Sequence, residues 1–394
     1  MRLLFVVQRY GPEVFGGAEV FSREFATRMA GRGHAVDVVT SCAVSYVDWA
    51  NVYEPGTSEL DGVTVHRLPV DRPRDNELFN ALNVRVNAGL RPTPLHLQRA
   101  WMDLQGPHVA ELPSWLEEHA GEYDAAVFFT YLYWSTWAGL AAAGRRVPTV
   151  LHPTAHDEPP LYLAIYDLMF RLPDALGYLT PEEATLVGDR FRLRRPSVTT
   201  GVGIDLASEG SESRFRQRFG LGDAPYLLYI GRLDPHKGTE ELFAFFEAYK
   251  ARRPGSLKLV FMGEPIRPIE QHEDVVVTGF VDEQTKHDGL AGCLALMMPS
   301  YFESFSIVLL EAWVHRKPAI VQGRCDVLDG QVRRSGGGLP YRSFGEFEES
   351  VDLLLHDEGL AADLGRSGRR HAEEHYDWDI VLGRYERFLE SVAQ

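Results

Sequence analysis

The sequence predicts an α/β protein built from two doubly wound parallel-sheet domains in tandem. Three observations carry that prediction. Short apolar runs ending at glycine or proline alternate with segments of helical periodicity. The strand–helix–strand pattern of the N-terminal segment restarts near residue 226. The length of 394 residues suits about two to three domains.

The elements justify this in order. Residues 3–7 are a continuous apolar run closed by Gln8-Arg9, which reads as a buried first strand and is too short for a signal-peptide core. Gly11-Pro12 and Gly16-Gly17 punctuate a loop. Residues 18–30 repeat Val20, Phe21, Phe25 and Met29 at helical spacing, Gly31 and Gly33 stop the helix, and 36–40 is the next strand. A strand, a crossover helix and a second buried strand make a parallel βαβ unit. Further buried strands are expected at 125–130 and 147–152. Residues 72–113, dotted with Pro and Arg, read as loops and short helices over one end of the sheet.

The second series begins with a strand at 226–230 and a helix at 240–249. Strands follow at 257–262, 275–278 and 294–298, then a helix at 306–314 and a strand at 319–322. Residues 201–224, with polar residues at 208–213, read as the linker.

Composition narrows the function. The formal net charge is −16, split −6 over residues 1–200 and −10 over 201–394. That disfavours a general polyanion binder. All of the lysines (Lys237, Lys250, Lys258, Lys286, Lys317) lie in the second half. Cys42, Cys293 and Cys325 are too few and too widely spaced for a disulfide framework, which fits a reducing compartment. No apolar run approaches the roughly 18 residues of a spanning helix.

In open parallel sheets, ligands bind beyond the carboxyl ends of the strands, so the loops there carry the candidate chemistry. Gly16-Gly17-Ala18-Glu19 opens a helix, where backbone N–H groups approach an anion; a flexible turn is the plainer reading. Gly231-Arg232-Leu233-Asp234-Pro235-His236-Lys237-Gly238 places a planar guanidinium and a compact ammonium at a strand end, suited to a diphosphate. Two solvated surface cations are the alternative. Glu303 ends the loop after the 294–298 strand, and Glu311 lies eight residues on, about two helical turns along and on nearly the same face. The apolar run 307–310 buries that helix start, so a carboxylate there calls for a partner, and carboxylates accept well from paired sugar hydroxyls. His156, after the 147–152 strand, reaches the ligand end as a donor or orienting group, while His152 reads as a packed core histidine.

Other patterns read as surface. His371-Ala372-Glu373-Glu374-His375 matches a zinc-protease pattern, but no third ligand is evident. Glu182-Glu183 and Glu348-Glu349 read as ordinary helix faces. Arg190, Arg192, Arg194 and Arg195, with Phe191 and Leu193, form a basic–apolar patch, either a solvated loop or a contact with anionic lipid.

Taken together, the ordered motifs resemble the retaining glycosyltransferases of family 4, which have the GT-B fold. The resemblance runs over nearly the whole chain. It rests on the Gly16–Glu19 loop, the Gly201-Val202-Gly203-Ile204-Asp205 segment, Gly231-Arg232-Leu233 with Lys237-Gly238, the Glu303/Glu311 spacing, and Tyr376-Asp377-Trp378 opening the last helix. It departs from the family at Trp313–Pro318, at Gly323–Leu328 and at Gly263-Glu264-Pro265, which bear on donor identity.

The resemblance implies two facing Rossmann-like domains with an interdomain cleft: an acceptor-side domain over 1–203 and a nucleotide-sugar domain over 204–375. A C-terminal helix over 376–394 would pack back on the first. It implies transfer of a sugar from a nucleotide-diphosphate sugar to an acceptor hydroxyl, with no cofactor and no metal. Arg232 and Lys237 would hold the leaving diphosphate. Glu303 would meet the donor sugar, with the Ser304, Phe305, Ser306 and Ile307 backbone near sugar and phosphate. Glu311 would hold the ribose. Gly16 and Gly17 would let their loop approach the phosphate, Phe280 and Val281 would lie by the base, and His156 by the reacting centre. An epimerase or phosphorylase on the same fold, or a non-catalytic scaffold, are the alternatives. The acceptor is unspecified (a sugar, glycan, lipid-linked or small natural product), nucleic acid is not expected, and the location implied is cytoplasmic with peripheral contact at the inner membrane face.

Overall fold

The structure, a computed structural model, describes residues 1–88, 93–266 and 271–394. The chain divides into two units, Met1–Gly201 with Leu382–Gln394, and Val202–Val381.

The first unit runs β1 (Arg2–Val6), α1 (Gly17–Gly31), β2 (Ala35–Ser41), β3 (Gly56–Leu60), β4 (Val63–Leu68), α2 (Asn76–Asn87), α3 (Leu95–Gln105), α4 (Glu111–His119), β5 (Ala125–Phe129), α5 (Trp134–Ala143), β6 (Thr149–His152), α6 (Ile165–Met169), β7 (Ala175–Tyr178), α7 (Pro181–Phe191) and β8 (Ser197–Thr199). Its described strands form an eight-stranded sheet in the order β3-β4-β2-β1-β5-β6-β7-β8. All neighbours are parallel except β3 and β4. Central strands covered on both faces read as unbroken apolar runs. Leu3, Leu4, Phe5 and Val6 of β1 and all of β5 are accordingly buried.

In this unit one feature departs from the sequence reading. The β3–β4 hairpin was not expected. It turns on Asp61 and Gly62, both at positive φ (52° and 77°), the backbone of a tight hairpin turn. The stretch 72–113, expected as loops and short helices, carries α2, α3 and the start of α4, and Trp101, Met102 and Leu112 enter the core. Residues 89–92 of that stretch lie outside the described residues.

The second unit runs α8 (Glu212–Phe219), β9 (Tyr226–Ile230), α9 (Thr239–Arg252), β10 (Lys258–Met262), β11 (Val275–Val277), α10 (Glu283–Gly292), β12 (Ala295–Met298), α11 (Ile307–Val314), β13 (Ala319–Gln322), α12 (Asp326–Ser335), β14 (Gly338–Tyr341), α13 (Phe344–His356) and α14 (Glu358–His375). Its six described strands are all parallel, in the order β11-β10-β9-β12-β13-β14. The linker expected over 201–224 is partly helix. Ser211 caps α8 through the Arg214 N–H, and Phe215 is buried beneath it.

A last helix, α15 (Trp378–Val392), brings the chain back into the first unit at Leu382. There Leu382, Tyr385 and Leu389 are buried. Arg32 grips Glu386 with two donors, at 2.8 and 3.0 Å, and His34 meets the same carboxylate at 3.0 Å. The Tyr385 hydroxyl lies 2.9 Å from His152 Nε2. His152 is fully buried against Phe129 and Phe21, and burial pushes its pKa down to about 3.

Candidate active site

Each sheet has one place where successive strands are laid down in opposite directions, the topological switch point at which such sheets bind ligands. In the second sheet it lies between β9 and β12, in the first between β1 and β5.

The loops after β9 and β12 meet at the first of these points. Asp234 shapes the β9 loop: its Oδ1 accepts the His236 N–H at 2.9 Å and its carbonyl accepts the Thr239 hydroxyl at 3.1 Å. The chain then makes one tight turn over Pro235–Lys237 and enters α9 through Gly238 at φ +74°. A Cβ there would overlap the Pro299 carbonyl, so only glycine lets the two loops come this close. The turn delivers Lys237 to the β12 loop, where its Nζ donates to Glu303 Oε1 at 2.8 Å. Two residues singled out by sequence, 66 apart in the chain, are thus direct partners. Arg232 lies 3.8 Å from Asp234 with its side chain 47% exposed.

Glu303 precedes α11 by four residues, so helical periodicity does not set its relation to Glu311. The expected shared helix face is replaced by two separate pairings. Ser304, Phe305 and Ser306 are buried between them, and the Ser306 hydroxyl accepts the Leu309 N–H at 3.2 Å as the α11 cap, with Ile307 its first residue. Glu311, 7% exposed inside α11, accepts from Lys286 Nζ of α10 at 2.6 Å, and its other oxygen, Oε2, is buried without a partner among the described residues. Beyond β11, Gly279 turns at φ +69°, and the Phe280 N–H donates to Glu264 Oε1 at 3.0 Å while the ring stays 65% exposed. Val281 follows at the head of α10.

In the first unit, Gly16 and Gly17 lie at the carboxyl end of β1, with Gly17 the first residue of α1. The steric demand for glycine falls on Gly16, where a Cβ would overlap the Glu19 carboxylate; at Gly17 a Cβ would meet nothing. Glu19 is buried and held by Arg9, whose Nε donates to it at 3.0 Å.

His156 follows β6, half-buried, with Nδ1 3.7 Å from Glu158, which also accepts from the Tyr131 hydroxyl at 3.2 Å. The loop bearing it is anchored by a residue the sequence reading misplaced. Glu183 is not helix surface: it is 1% exposed, accepting the Ala155 N–H at 2.8 Å and the Leu179 N–H at 2.7 Å. Thr180 caps α7 through the Glu183 N–H, and that Thr-x-x-Glu spacing was the available signal. Thr154, next to Ala155, is held at φ +49°. Burial pushes the Glu183 carboxyl up to about 8, against the backbone donors that lower it.

The remaining patterns are absorbed locally. His371 packs on Trp313 and Tyr376. Of the basic–apolar patch, Phe191 is buried on Phe170 and Arg190 is paired with Asp167 at 2.9 Å, so neither is part of an outward surface. Asp377-Trp378-Asp379 is an Asp-x-Asp triplet, but Asp377 serves as a cap, accepting the Asp379 N–H at 2.9 Å. The cysteines are buried and unbonded, and burial raises Cys293 to about 12 and Cys325 to about 11, far from thiolate chemistry at neutral pH. Among the described residues, no helix is long and apolar enough to cross a membrane.

Two sequence families match the chain. One, described as "Glycosyl transferases group 1", covers residues 211–371, and the other, "Glycosyl transferase 4-like domain", covers 16–200. Glycogen synthase of Mycobacterium tuberculosis is 27% identical over 405 residues, spanning 97% of this chain and 92% of that protein. D-inositol 3-phosphate glycosyltransferase of Stackebrandtia nassauensis is 26% identical over 419 residues, spanning 94% and 86%. Among solved structures, Anabaena HepE in complex with UDP-glucose is similar at a TM-score of 0.67 and 18% identity, over 100% of this chain and 99% of that one.

Proposed function

Because the chain belongs to the glycosyl transferases of group 1 and folds as a GT-B enzyme, we propose that it moves a sugar from a nucleotide-diphosphate sugar to an acceptor hydroxyl with retention and without a metal. The Lys237–Glu303 pair at the switch point of the second sheet is the observation that carries this reading. It sets a cation for the diphosphate beside a carboxylate for the sugar, and the HepE complex with UDP-glucose supports a donor of that class.

In this reading the bond from the anomeric carbon to the phosphate oxygen breaks, and its electrons go to the diphosphate. Arg232 and Lys237 stabilise that charge as fixed cations. Glu303 accepts from donor-sugar hydroxyls, and the backbone from Ser304 to Ile307 lines the sugar and phosphate. Glu311 accepts from the ribose, and Phe280 and Val281 flank the base. Gly16 and Gly17 keep backbone N–H groups open to the phosphate, and His156 donates to the donor sugar. The acceptor hydroxyl attacks on the face the phosphate leaves and passes its proton to the leaving oxygen, so no separate base is needed. Of the arginine patch, Arg192, Arg194 and Arg195 remain exposed, and Arg195 donates to the Arg171 carbonyl at 2.7 Å next to the exposed Leu172, a surface for acidic lipid that vesicle co-sedimentation tests.

The test is incubation with UDP-, GDP-, ADP- and TDP-sugars in the presence of a chelator, followed by proton NMR of the released or transferred sugar. Consumption of a donor with the anomeric configuration kept supports the reading. An inverted product removes the retaining assignment, and a panel that is neither consumed nor bound removes the reading as a whole.

A further inference from the structure

A group outside the set named above acts on the same site. Lys286 lies on α10, with its Nζ 2.6 Å from Glu311 Oε1 and 2.7 Å from Glu283 Oε2. Its side chain is only 15% exposed and that of Glu311 only 9%. Burial alone lowers a lysine's pKa, yet Glu311 and Glu283 together push this one up, so it is a fixed cation. Glu283, 81% exposed, is free to move with solvent, whereas Glu311 is enclosed. The tight partner of Lys286 is therefore Glu311.

The geometry of that pair is asymmetric. One carboxylate oxygen is taken by the ammonium. The other, Oε2, is buried with no hydrogen-bond partner among the described residues. A buried ionised oxygen left unsatisfied is costly, and a hydroxyl donor is a natural complement. A carboxylate alone in such a place would swing between rotamers; one clamped at Oε1 offers a single oxygen in a fixed direction.

We infer that Lys286 is a positioning residue that fixes Glu311 so that its Oε2 reads one hydroxyl of the donor's ribose, making the site selective for ribonucleotides over deoxyribonucleotides. This rests on the reading of Glu311 as the ribose ligand. Lys286 itself touches no ligand. Its effect falls on recognition of the nucleotide, not on the bond that breaks, which lies at the far end of the diphosphate from the ribose.

The test uses the full chain and calorimetric titration with UDP, GDP and ADP, each against its 2′-deoxy and 3′-deoxy forms. The tightest wild-type binder carries the comparison. Wild type is expected to prefer the ribonucleotide over one deoxy form by about tenfold or more, the worth of a hydrogen bond to a charged group. Lys286→Gln should collapse that ratio toward one by weakening the ribonucleotide alone, and Lys286→Arg should keep part of it. With donor turnover measured in parallel, Lys286→Gln should raise KM and leave kcat within about twofold. A ratio unchanged in Lys286→Gln but lost in Glu311→Gln overturns the role of Lys286 and keeps Glu311 as ligand. A ratio unchanged in both overturns the ribose reading itself, as does a failure of all three ribonucleotides to bind. If Lys286→Gln loses its thermal transition, Lys286→Arg decides: a full wild-type ratio together with a distorted Glu311 pairing overturns the inference.

Discussion

The chemistry of the proposed site depends on pairs of residues more than on single ones. Lys237 and Glu303 each leave an unbalanced charge if the other is removed, and Glu303 is the more enclosed, with 14% side-chain exposure against 35%. Replacing Glu303 with Ala should lower donor turnover about 10- to 100-fold, the loss of one or two hydrogen bonds to a charged group, with the thermal midpoint nearly unchanged. Steady-state kinetics beside a melting curve checks both. Glu183 works differently, through the backbone of the His156 loop. Its folded pKa is raised from 4.5 to about 8, so the native state holds an extra proton between those values. The stability it contributes is present below about pH 4.5 and is lost as pH rises through 8. The midpoint of wild type relative to Glu183→Gln should therefore fall from pH 5 to pH 8; a constant offset over that range removes the assignment. Sequence placed Lys237 and Glu303 because apolar strands closed by Gly231 and by Pro299-Ser300 mark a ligand edge in the loops that follow. It read Glu182 and Glu183 alike, although Thr180 three residues before Glu183 marks a helix start at that carboxylate and not at its neighbour. The return of the 154–155 backbone to α7, which spacing alone does not show, is what buries that carboxylate.

At the level of elements, the periodic helices and the buried parallel strands were readable, because a two-sided core writes itself as an apolar run. The edge elements were not. β8 and β14 are short, half-exposed and carry no such run. The β3–β4 hairpin had a signal in Asp61-Gly62 and in the alternation of Val63 and Val65 on β4, but β3 is too exposed to show any. The cap of α11 gives an element-scale prediction: Ser306→Ala should cost about 0.5–2 kcal/mol, measured by denaturant unfolding. Docking of α15 gives another. His152 is neutral where it meets Tyr385, and its pKa is depressed from 6.5 to about 3. Its contribution is present above pH 6.5 and is lost as pH falls toward 3, because the unfolded chain then binds the proton first. Denaturation midpoints should drop through that window in wild type and drop less in His152→Phe. Equal slopes would show that another group controls acid unfolding.

For the whole molecule, the net charge of −16 is informative about polyanions and silent about a small anionic ligand. Exposed acidic residues set the sum, whereas Arg232 and Lys237 are placed by one loop at one strand end. The doubling of the α/β pattern was legible because each unit repeats the same alternation of buried strand and covering helix. The partnership of Lys286 with Glu311 was not, because the two are 25 residues apart on different helices and meet only where α11 packs beside α10. The decisive comparison is donor consumption by wild type and Lys237→Ala under single-turnover conditions, with whichever of the UDP-, GDP-, ADP- and TDP-sugars wild type consumes. A fall of about 10²–10³ in rate, with the fold intact by circular dichroism, is expected of a cation that stabilises the leaving diphosphate. An unchanged rate would mean that Lys237 does no more than neutralise Glu303.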